Sequence, residues 1–579
     1  MTGTVRIVRR TLAIPPDSLP ASLHPVLRRV YAARNVRSGD EIDHVLAQLP
    51  PPDGLGGAAA AAARLARAIE TGERILIVGD FDADGATSSA LAVGALRDMG
   101  AREVSALVPN RFEYGYGLTP EIVRVALARE PGLIVTVDNG VASVAGVAAA
   151  NAAGVDVIVT DHHLPGRELP AAAVIVNPNL PGCGFADHAL AGVGVIFYVL
   201  LALRAHLRAA GWFDRQGIPE PRLADRLDLV ALGTIADVVP LGRVNRILVA
   251  QGLERIRAGR ACPGIAALLE VAGRDPRRVT AADLGFFVGP RLNAAGRLED
   301  MAVGIECLLA ESAALARPLA LRLDAYNHER RRIEEGMQQQ ALALLEDFQL
   351  GGEGELPFGL CLFDPAWHQG VVGLLASRLK ERLHRPVVAL APGDRDWVKG
   401  SGRSVAGVHL RDVLDAVATR NPGLIERFGG HAMAAGLTLR AVDVPAFATA
   451  FDAEVRRWLA PEGIAGVIHS DGEIGAADLD LPLAEAVRGG GPWGQAFPEP
   501  AFDGAFDVLS RRVVGERHLK LLLRPAGSDR AVEAIAFNKA PEAADGLPPR
   551  LRLAYHLDVN DYRGATGLQL RVTHWELAG

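Results

Sequence analysis

The sequence predicts an α/β protein with a doubly wound, mostly parallel sheet, a second and smaller α/β domain, and a C-terminal β-barrel. Three patterns lead to this prediction. Short apolar runs alternate with helical segments from residue 58 to 176, as they do when helices cover a parallel sheet. The same alternation returns from 357 to 455. The last ~115 residues alternate apolar and polar side chains with a period of two, which is typical of antiparallel strands in a small barrel.

The elements of the first sheet are assigned in chain order. Residues 1–57 are rich in proline, with one helical stretch near His24–Val36. Helices are predicted at Ala58–Thr71 and at Gly85–Met99, a segment of small residues. The predicted strands are Arg74–Val78, Val104–Val108, Leu133–Val137, Val155–Thr160 and Ala173–Val176.

Two breaks divide the rest of the chain. A long helical pattern ends at the glycine-rich stretch 351–354, and a second break follows around 460–463. We therefore expect an N-terminal segment (1–57), a first α/β domain (58–302), a connecting helix (303–350), a second α/β domain (351–459) and a β domain (460–579).

Composition excludes several classes of protein. Apolar residues make up 49% and charged residues 22% of the 579 positions, which is typical of a globular protein and not of a disordered one. The four cysteines form no CxxC pair, which argues against a disulfide framework or a thiolate zinc site and fits a reducing cytoplasm. The longest apolar run, Ala189–Leu203, is shorter than the ~20 residues of a membrane span, so we expect a buried helix and no membrane association.

Acidic residues and histidines stand just after several of the predicted strands. Because the carboxyl ends of parallel strands meet at one edge of a sheet, clusters after different strands are expected to converge there. The segment GTIADVVP follows a helical run instead, so its aspartate joins the others only if the chain folds back. The clusters are Asp80, Asp82 and Asp84 in GDFDADG, Asp138 in TVDNG, Asp161, His162 and His163 in TDHH, and Asp237 in GTIADVVP.

Such a group of side chains predicts a metal site. Carboxylates this close repel one another unless cations lie between them. Carboxylates with imidazoles and no thiolate suit Mn²⁺ or Mg²⁺, and two such ions ~3.5–4 Å apart can activate a water and stabilise the leaving oxygen of a phosphoryl transfer. A single DxD is usually a turn or a helix cap, and Asp138 before Asn-Gly fits a turn. Three clusters in one α/β unit favour the metal site.

The order GDFDADG, VDNG, TDHH, GTIADVVP resembles the motif series of the DHH phosphoesterase superfamily. Within it, RLNAAGR (Arg291–Arg297) resembles a motif of the RecJ exonucleases. The resemblance extends over most of the chain from about residue 70 onward. Further segments resemble the DHH-associated domain (Trp367–Gly373, Lys399–Val405, Phe428–Gly436) and a C-terminal OB-type domain (Gly491–Phe502, Glu516–Leu523).

The resemblance implies a role for each residue of the predicted metal site. His163 would contact the scissile phosphate or assist proton transfer, and Asp161 would orient an imidazole. Many DHH proteins carry a histidine where this chain has Val78, and Asp80 would replace it as a ligand or lie just behind the ligands. The implied ligands are Asp82, Asp84, Asp138, His162 and Asp237, with Asp138 and His162 also counted in the catalytic machinery.

Substrate contacts are expected from arginines, histidines and glycine-rich segments. A loop such as FGGHAMAAG that opens a helix can bind a phosphate, and KGSGRSV offers a hydroxyl and a guanidinium, although either segment alone is also typical of a simple glycine-rich turn. The resemblance implies that Arg111, Ser401 and Arg403 read the phosphate at a 5′ end. The expected contacts are Arg111, Arg291, Asn293, Arg297, His368, Ser401, Arg403 and His431.

The resemblance implies a cytoplasmic exonuclease that degrades single-stranded DNA from 5′ to 3′, releases 5′-mononucleotides with two Mn²⁺ or Mg²⁺ ions, and acts in DNA repair and recombination. A helicase and a single-stranded-DNA-binding protein would be its partners. The alternative is another DHH phosphoesterase, an oligoribonuclease or a cyclic-dinucleotide phosphodiesterase, and the C-terminal β domain argues against it. A net charge of −7 is unusual for a DNA-binding protein, but it describes the whole surface and not one groove.

Overall fold

The structure, a computed structural model, describes residues 5–108, 117–350, 356–459, 466–540, 546–562 and 565–577. The chain forms two compact units. The smaller unit comprises Met1–Val8 and His328–His469, and the larger unit comprises Arg9–Asn327 and Ser470–Gly579. The two ends of the larger unit therefore belong together although 142 residues separate them in the chain.

The first half of the larger unit is the predicted parallel sheet. Its five strands lie in the order β3-β2-β4-β5-β6, and every neighbouring pair is parallel. The predicted strands are confirmed with ends shifted by at most one residue. The elements are β1 (Val5–Arg9), α1 (Pro25–Ala32), α2 (Ala58–Thr71), β2 (Ile75–Gly79), α3 (Ala83–Asp98), β3 (Val104–Leu107), α4 (Pro120–Leu127), β4 (Leu133–Val137), α5 (Val144–Ala152), β5 (Asp156–Thr160) and β6 (Val174–Val176).

Both faces of this sheet are covered, as the continuous apolar strands require. Side chains such as Ile77 and Val135 join a core with α2, α3 and the later helices. On the opposite face, Leu76 and Ile134 join a separate core with α4 and α5. Alternation along each strand thus sends successive side chains into two different cores.

After β6, the first segment of the larger unit is mostly helical. A π-helical turn, Leu284–Val288, connects two of its helices. The predicted buried helix is α6. Among the described helices it is the one that is long and apolar enough to cross a membrane. Because 61% of its residues are buried inside the fold, it is a core helix. The helical pattern predicted over 303–350 is divided between two helices. The elements are α6 (Gly192–Ala209), α7 (Trp212–Gln216), α8 (Leu227–Ala236), α9 (Arg243–Arg257), α10 (Pro263–Val271), α11 (Ala281–Asp283), α12 (Gly289–Leu298), α13 (Ala302–Leu309) and α14 (Ala313–Leu350).

The smaller unit contains a mixed sheet in the order β10-β11-β9-β8-β7. Among its described strands, β7 and β8 are parallel and the other neighbours are antiparallel. A separate two-stranded sheet pairs β1 with β12. The elements are β7 (Leu360–Phe363), α15 (Val372–Leu383), β8 (Val387–Pro392), β9 (Trp397–Arg403), α16 (Leu410–Arg420), β10 (Arg427–Gly430), β11 (Ala434–Arg440), α17 (Val444–Trp458) and β12 (Gly466–Ser470).

One local prediction for the smaller unit is wrong, and the turn left open as the alternative for a second segment is not formed. The segment FGGHAMAAG does not open a helix, since it forms the antiparallel hairpin of β10 and β11. The segment KGSGRSV is not a turn, since most of it is strand β9. Its glycines serve close packing: a Cβ on Gly400 would lie 2.5 Å from a Leu390 methyl, and one on Gly402 would lie 2.7 Å from a Leu410 methyl. Glycine at these positions leaves room for neighbouring side chains. In the sequence, a glycine of this kind looks the same as a glycine that forms a turn.

The C-terminal strands of the larger unit close into the predicted barrel, in the order β13-β14-β15-β17-β16. One pair, β15 with β17, is parallel, so the prediction of wholly antiparallel strands is wrong there. Barrel side chains join the core that includes α1 and one face of the parallel sheet. The ion pair of Arg34 with Asp471, at 2.7 Å, is almost fully buried. The elements are α18 (Leu481–Gly489), β13 (Phe502–Val514), β14 (His518–Pro525), β15 (Val532–Ala536), β16 (Arg550–Tyr562) and β17 (Ala565–Leu577).

Candidate metal centre

The first acidic cluster lies where β2 leads into α3. Asp82 caps α3, because its side chain accepts a hydrogen bond from the Gly85 N–H at 2.9 Å, and this cap starts the helix two residues earlier than predicted. Asp84 lies in the first turn and is buried. Its two oxygens accept hydrogen bonds from the N–H groups of Gly192, at 2.6 Å, and Val193, at 3.0 Å. The amino end of α6 therefore holds this carboxylate in place.

Asp138 follows β4 and is buried, with a left-handed backbone (φ 61°) that is uncommon outside glycine. The next residue, Asn139, donates hydrogen bonds from Nδ2 to the carbonyls of Val78 and Val137, which ties the ends of β2 and β4 together. Gly192 packs directly against Asp138, where an added Cβ would lie 2.6 Å from the aspartate Cβ. A glycine at this position is what allows α6 to approach both Asp84 and Asp138.

The third cluster follows β5. Asp161 Oδ1 lies 2.7 Å from His163 Nδ1, so this carboxylate holds the His163 imidazole by a hydrogen bond. The backbone carbonyls of both histidines are held by asparagine side chains. Asn179 donates to the His162 carbonyl at 2.6 Å, and Asn177 donates to the His163 carbonyl at 2.8 Å.

The three clusters and Asp237 come together. His162 Nε2 lies 3.0 Å from Asp138 Oδ1 and 3.4 Å from Asp237 Oδ2. Asp237 follows the last residue of α8, so the chain does fold back to the sheet edge. Three groups of side chains offer ligand atoms within 4.8 Å of one another: Asp80 with Asp82 and Asp138, Asp84 with His162 and Asp237, and Asp138 with His162 and His163.

Electrostatics in the cluster favour a bound cation. Burial, followed by repulsion from neighbouring aspartates, raises the pKa of Asp84 and Asp138 well above the usual range. The same causes raise the pKa of Asp237 to about 7. For His163 burial acts in the opposite direction, but the hydrogen bond and charge of Asp161 prevail and raise its pKa to about 9. Without a cation, the aspartates keep their charges only at a cost in free energy.

The donor set fits Mn²⁺ or Mg²⁺. Two ligand atoms at right angles around an ion, each at about 2.1 Å, lie about 3 Å apart, close to the separations of His162 Nε2 from its two carboxylate neighbours. Asp237 Oδ2 is buried and accepts no hydrogen bond from the described residues, so it has lone pairs available for an ion. Carboxylates and imidazoles without thiolates are also the ligand types that these ions share.

The RLNAAGR segment forms most of α12 and packs behind the first acidic cluster. Asn293 Oδ1 accepts a hydrogen bond from the Ala83 N–H at 2.7 Å, and an added Cβ on Gly296 would overlap the Phe81 carbonyl. Arg291 is buried and forms an ion pair with Asp324 at 2.8 Å. Arg297 lies at the end of the same helix. This segment therefore positions the GDFDADG loop, and Arg291 is already engaged within the fold.

Four further predicted contacts, Ser401, Arg403, His368 and His431, lie in the smaller unit. Arg403 Nη1 donates to Ser401 Oγ at 2.9 Å, beside the amino end of α15. Arg403 pairs in register with Ala434, next to the hairpin turn that carries His431. His368 precedes α15, and its Nδ1 accepts from the Gly370 N–H at 3.1 Å. Arg111 lies outside the described residues.

Sequence reasoning missed the residues that hold the ligands. Asn177 and Asn179 stand in VNPN directly after β6, so the rule that directed attention to the other strand ends would have found them. Gly192 and Val193 carried no comparable signal, because their contribution is a backbone N–H.

Comparison with known protein families assigns the three parts of the chain. The DHH family N-terminal domain matches residues 74–234, the DHHA1 domain matches 357–457, and the RecJ OB domain matches 470–574. The Asp237 position lies just beyond the first of these matches.

The chain is similar over almost its full length to characterised proteins. It is 55% identical to the single-stranded-DNA-specific exonuclease RecJ of Dickeya dadantii (strain 3937), with 97% of each chain covered. It is 52% identical to the protein of that name from Escherichia coli (strain K12), covering 98% of this chain and 99% of the other. Among solved structures, RecJ of Thermus thermophilus in complex with Mn²⁺ is 30% identical with a TM-score of 0.81, covering all of this chain and 80% of the other. The Mg²⁺ complex of that protein is 29% identical with a TM-score of 0.75, covering 100% of this chain and 79% of the other.

Proposed function

Because the chain belongs to the RecJ family of DHH proteins, we propose that it is a single-stranded-DNA-specific exonuclease that releases 5′-mononucleotides from a 5′ end. The observation that carries the proposal is the meeting of Asp138, His162 and Asp237 within 3.4 Å at the edge of the parallel sheet. Hydrolysis adds a water to the phosphorus of the first phosphodiester and breaks its bond to the 3′ oxygen. The new 5′ phosphate stays on the shortened strand.

The proposed ligands divide into two groups. Asp80, Asp82 and Asp138 form one, and Asp84, His162 and Asp237 form the other, which supports two Mn²⁺ or Mg²⁺ ions. Two such ions, when bound, activate water and neutralise the charge on a leaving oxygen. Asp138 lies next to both groups through its 3.0 Å approach to His162, so we assign it to both sites.

His163 is the proposed acid. Asp161 fixes the orientation of the imidazole through Nδ1, and its hydrogen bond and charge favour the protonated form. A protonated imidazole beside the ligands can bind the scissile phosphate and deliver a proton to the departing 3′ oxygen. Asn177 and Asn179 act as positioning residues, since they hold the backbone of the two histidines.

Polarity is proposed to depend on the smaller unit. A terminal phosphate carries more charge than an internal diester, and a guanidinium binds it through two parallel hydrogen bonds. Arg403 with Ser401 offers such a guanidinium and a hydroxyl, beside the amino end of a helix. We assign 5′-phosphate recognition to these two residues with Arg111, and further phosphate contacts to Arg297, His368 and His431. Arg291 and Asn293, which also hold the fold together behind the first acidic cluster, stay among the proposed substrate contacts.

The proposed setting is DNA repair and recombination in the cytoplasm, with a helicase that supplies single strands and a single-stranded-DNA-binding protein as partners. The alternative activity, hydrolysis of short oligoribonucleotides or cyclic dinucleotides, involves a shorter substrate. The closed barrel and its shared core with the parallel sheet favour a longer strand, because such barrels offer a groove for several nucleotides.

The test is hydrolysis by the full chain of a 5′-phosphorylated, 3′-labelled DNA strand with Mn²⁺, Mg²⁺ or EDTA. We expect stepwise shortening of the labelled strand from its 5′ end, with release of unlabelled mononucleotides, and this requires a divalent ion and a single-stranded 5′ end. A blunt duplex and a strand with a blocked 5′ end serve as controls. Faster cleavage of a cyclic dinucleotide or a short RNA than of the DNA strand would favour the alternative.

A further inference from the structure

Three of the most exposed large apolar side chains of the larger unit belong to segments that adjoin the metal centre. Leu164 is 58% exposed and directly follows His163, while Val238 is 62% exposed and directly follows Asp237. Phe286, on the π-helical turn, is 72% exposed. Single exposed apolar residues are common on proteins, but the segments that carry these three adjoin one strongly charged cluster.

Their positions relative to the ligands follow from the packing. His162 Nε2 lies 3.4 Å from Asp237 Oδ2, so the two segments that continue into Leu164 and Val238 meet at the centre. The π-helical turn packs on the last turn of α8. A Cβ on Gly285 would lie 3.1 Å from Ile235 Cγ2, and one on Gly289 would lie 3.2 Å from the Ala236 Cβ. Phe286 is thereby held beside the helix end that presents Asp237.

The local backbone is also unusual at two of the three positions. Val238 has a left-handed backbone (φ 62°), which is strained for a β-branched side chain. Phe286 lies in a π-helical turn, a rare feature that often marks functional sites. Strain and exposure at the same residue are unfavourable for stability, and both are explained if the side chain contacts a ligand.

We propose that Leu164, Val238 and Phe286 form an apolar rim that contacts the unpaired bases next to the scissile phosphate. This inference rests on the proposed function and adds a base-contacting surface to it. Bases supply the flat apolar faces that complement such a rim, whereas phosphates and sugars do not. In a duplex those faces are stacked and paired, so the rim also favours a single strand.

The decisive experiment compares two 5′-phosphorylated DNA strands, one normal and one with abasic sugars at its first three positions. Wild-type chain in Mn²⁺ should cleave the normal strand roughly tenfold more efficiently, because stacking on an aromatic ring strengthens binding of each base. Phe286→Ala should lower kcat/KM on the normal strand by about tenfold, mainly through KM. On the abasic strand the wild type and the variant should converge.

Three further variants separate base contact from structure. Phe286→Tyr should behave like wild type, because the ring is retained. Val238→Gly should raise the melting temperature by relieving the backbone, yet weaken cleavage of the normal strand. Leu315→Ala removes a side chain that is 60% exposed elsewhere in the larger unit. It should change the cleavage of neither strand.

The proposed rim is wrong if Phe286→Ala slows cleavage of both strands equally, or slows cleavage of neither. Binding of each strand is also measured by fluorescence anisotropy with Ca²⁺ in place of Mn²⁺. This test of the rim does not depend on whether the chain hydrolyses DNA. If wild type hydrolyses neither strand, the proposed function fails. The rim still stands in that case if Phe286→Ala weakens binding of the normal strand alone, and falls if it does not.

Discussion

The parallel sheet of the larger unit and the mixed sheet of the smaller unit arrange their polar residues differently. In the parallel sheet, β2, β4 and β5 all end at one edge, and side chains that are far apart in the chain meet there at 3.0 and 3.4 Å. In the mixed sheet the strands run in both directions. Its polar residues therefore gather through a hairpin and a helix end, as Arg403 does with the turn that carries His431.

This difference explains why one site was easier to foresee than the other. A parallel sheet converts strand order into a common edge, so the residue after each strand is a candidate ligand. In a mixed sheet, a glycine-rich segment of the same composition can form a turn, the start of a helix or a strand. Substitutions in the two units should accordingly have effects of different size and kind.

The largest effect is expected from Asp138→Asn in the larger unit. Asparagine tolerates the left-handed backbone but removes a ligand charge, so kcat in Mn²⁺ should fall by about 10³-fold or more, since a metal contributes several kcal/mol to the transition state. The metal-free protein should be no less stable, because one repulsive charge is gone. Steady-state kinetics and thermal unfolding in EDTA measure these outcomes, with the exposed Asp214→Asn as control. A kcat within tenfold of wild type would remove Asp138 from the ligand set.

A smaller and more selective effect is expected from Arg403→Ala in the smaller unit. Loss of charge-assisted hydrogen bonds should slow cleavage of 5′-phosphorylated strands by roughly 10–100-fold. Strands with a 5′ hydroxyl should be slowed much less, so the ratio of the two rates falls. The exposed Arg411→Ala is the matched control, and salt is held constant because phosphate contacts depend on it. An equal loss on both substrates would contradict 5′-end recognition by this residue.

Asn293→Ala should have a still smaller effect, expressed in metal affinity. The asparagine holds the backbone at Ala83, between two proposed ligands, so its loss should weaken apparent Mn²⁺ affinity by about 10-fold. Saturating Mn²⁺ should restore most of the activity. Titration of activity against Mn²⁺ measures this, with the exposed Asn151→Ala as the comparison. Loss that no Mn²⁺ concentration restores would point to a direct role in substrate binding.

The smallest effect concerns pH in the metal-free protein. Asp237 binds its proton more tightly in the folded chain, where its pKa is about 7, than in the unfolded chain, where it is about 3.9. Its contribution to stability is therefore lost as pH rises from about 4 to 7, and the raised pKa of His163 acts in the same direction up to about 9. In EDTA the melting temperature should be at least about 2–4 °C lower at pH 8 than at pH 5.5. Asp237→Asn should shrink this difference, and an unchanged difference would assign it to other groups.

Much of the fold could be predicted from sequence because it depends on local periodicity. The order of helices and strands through β6, the buried helix α6 and the barrel all follow from the spacing of apolar residues. The errors occurred where one residue type serves several structures. Gly400 and Gly402 make room for neighbouring leucines on a strand, and Gly429 and Gly430 lie on another strand. The parallel pairing of β15 with β17 depends on how the barrel closes, which alternation alone does not specify.

The sequence by itself determined the fold class, the family and the set of acidic residues and histidines, because each depends on residue type and spacing along the chain. Only the tertiary structure decided that Asp237 reaches His162, that the amino end of α6 holds Asp84, and that Arg291 is paired with Asp324. It also decided that the segments that carry the exposed Leu164, Val238 and Phe286 adjoin the same centre. These relations join residues that are distant in sequence, and they depend on helix packing and backbone approach that local pattern does not encode.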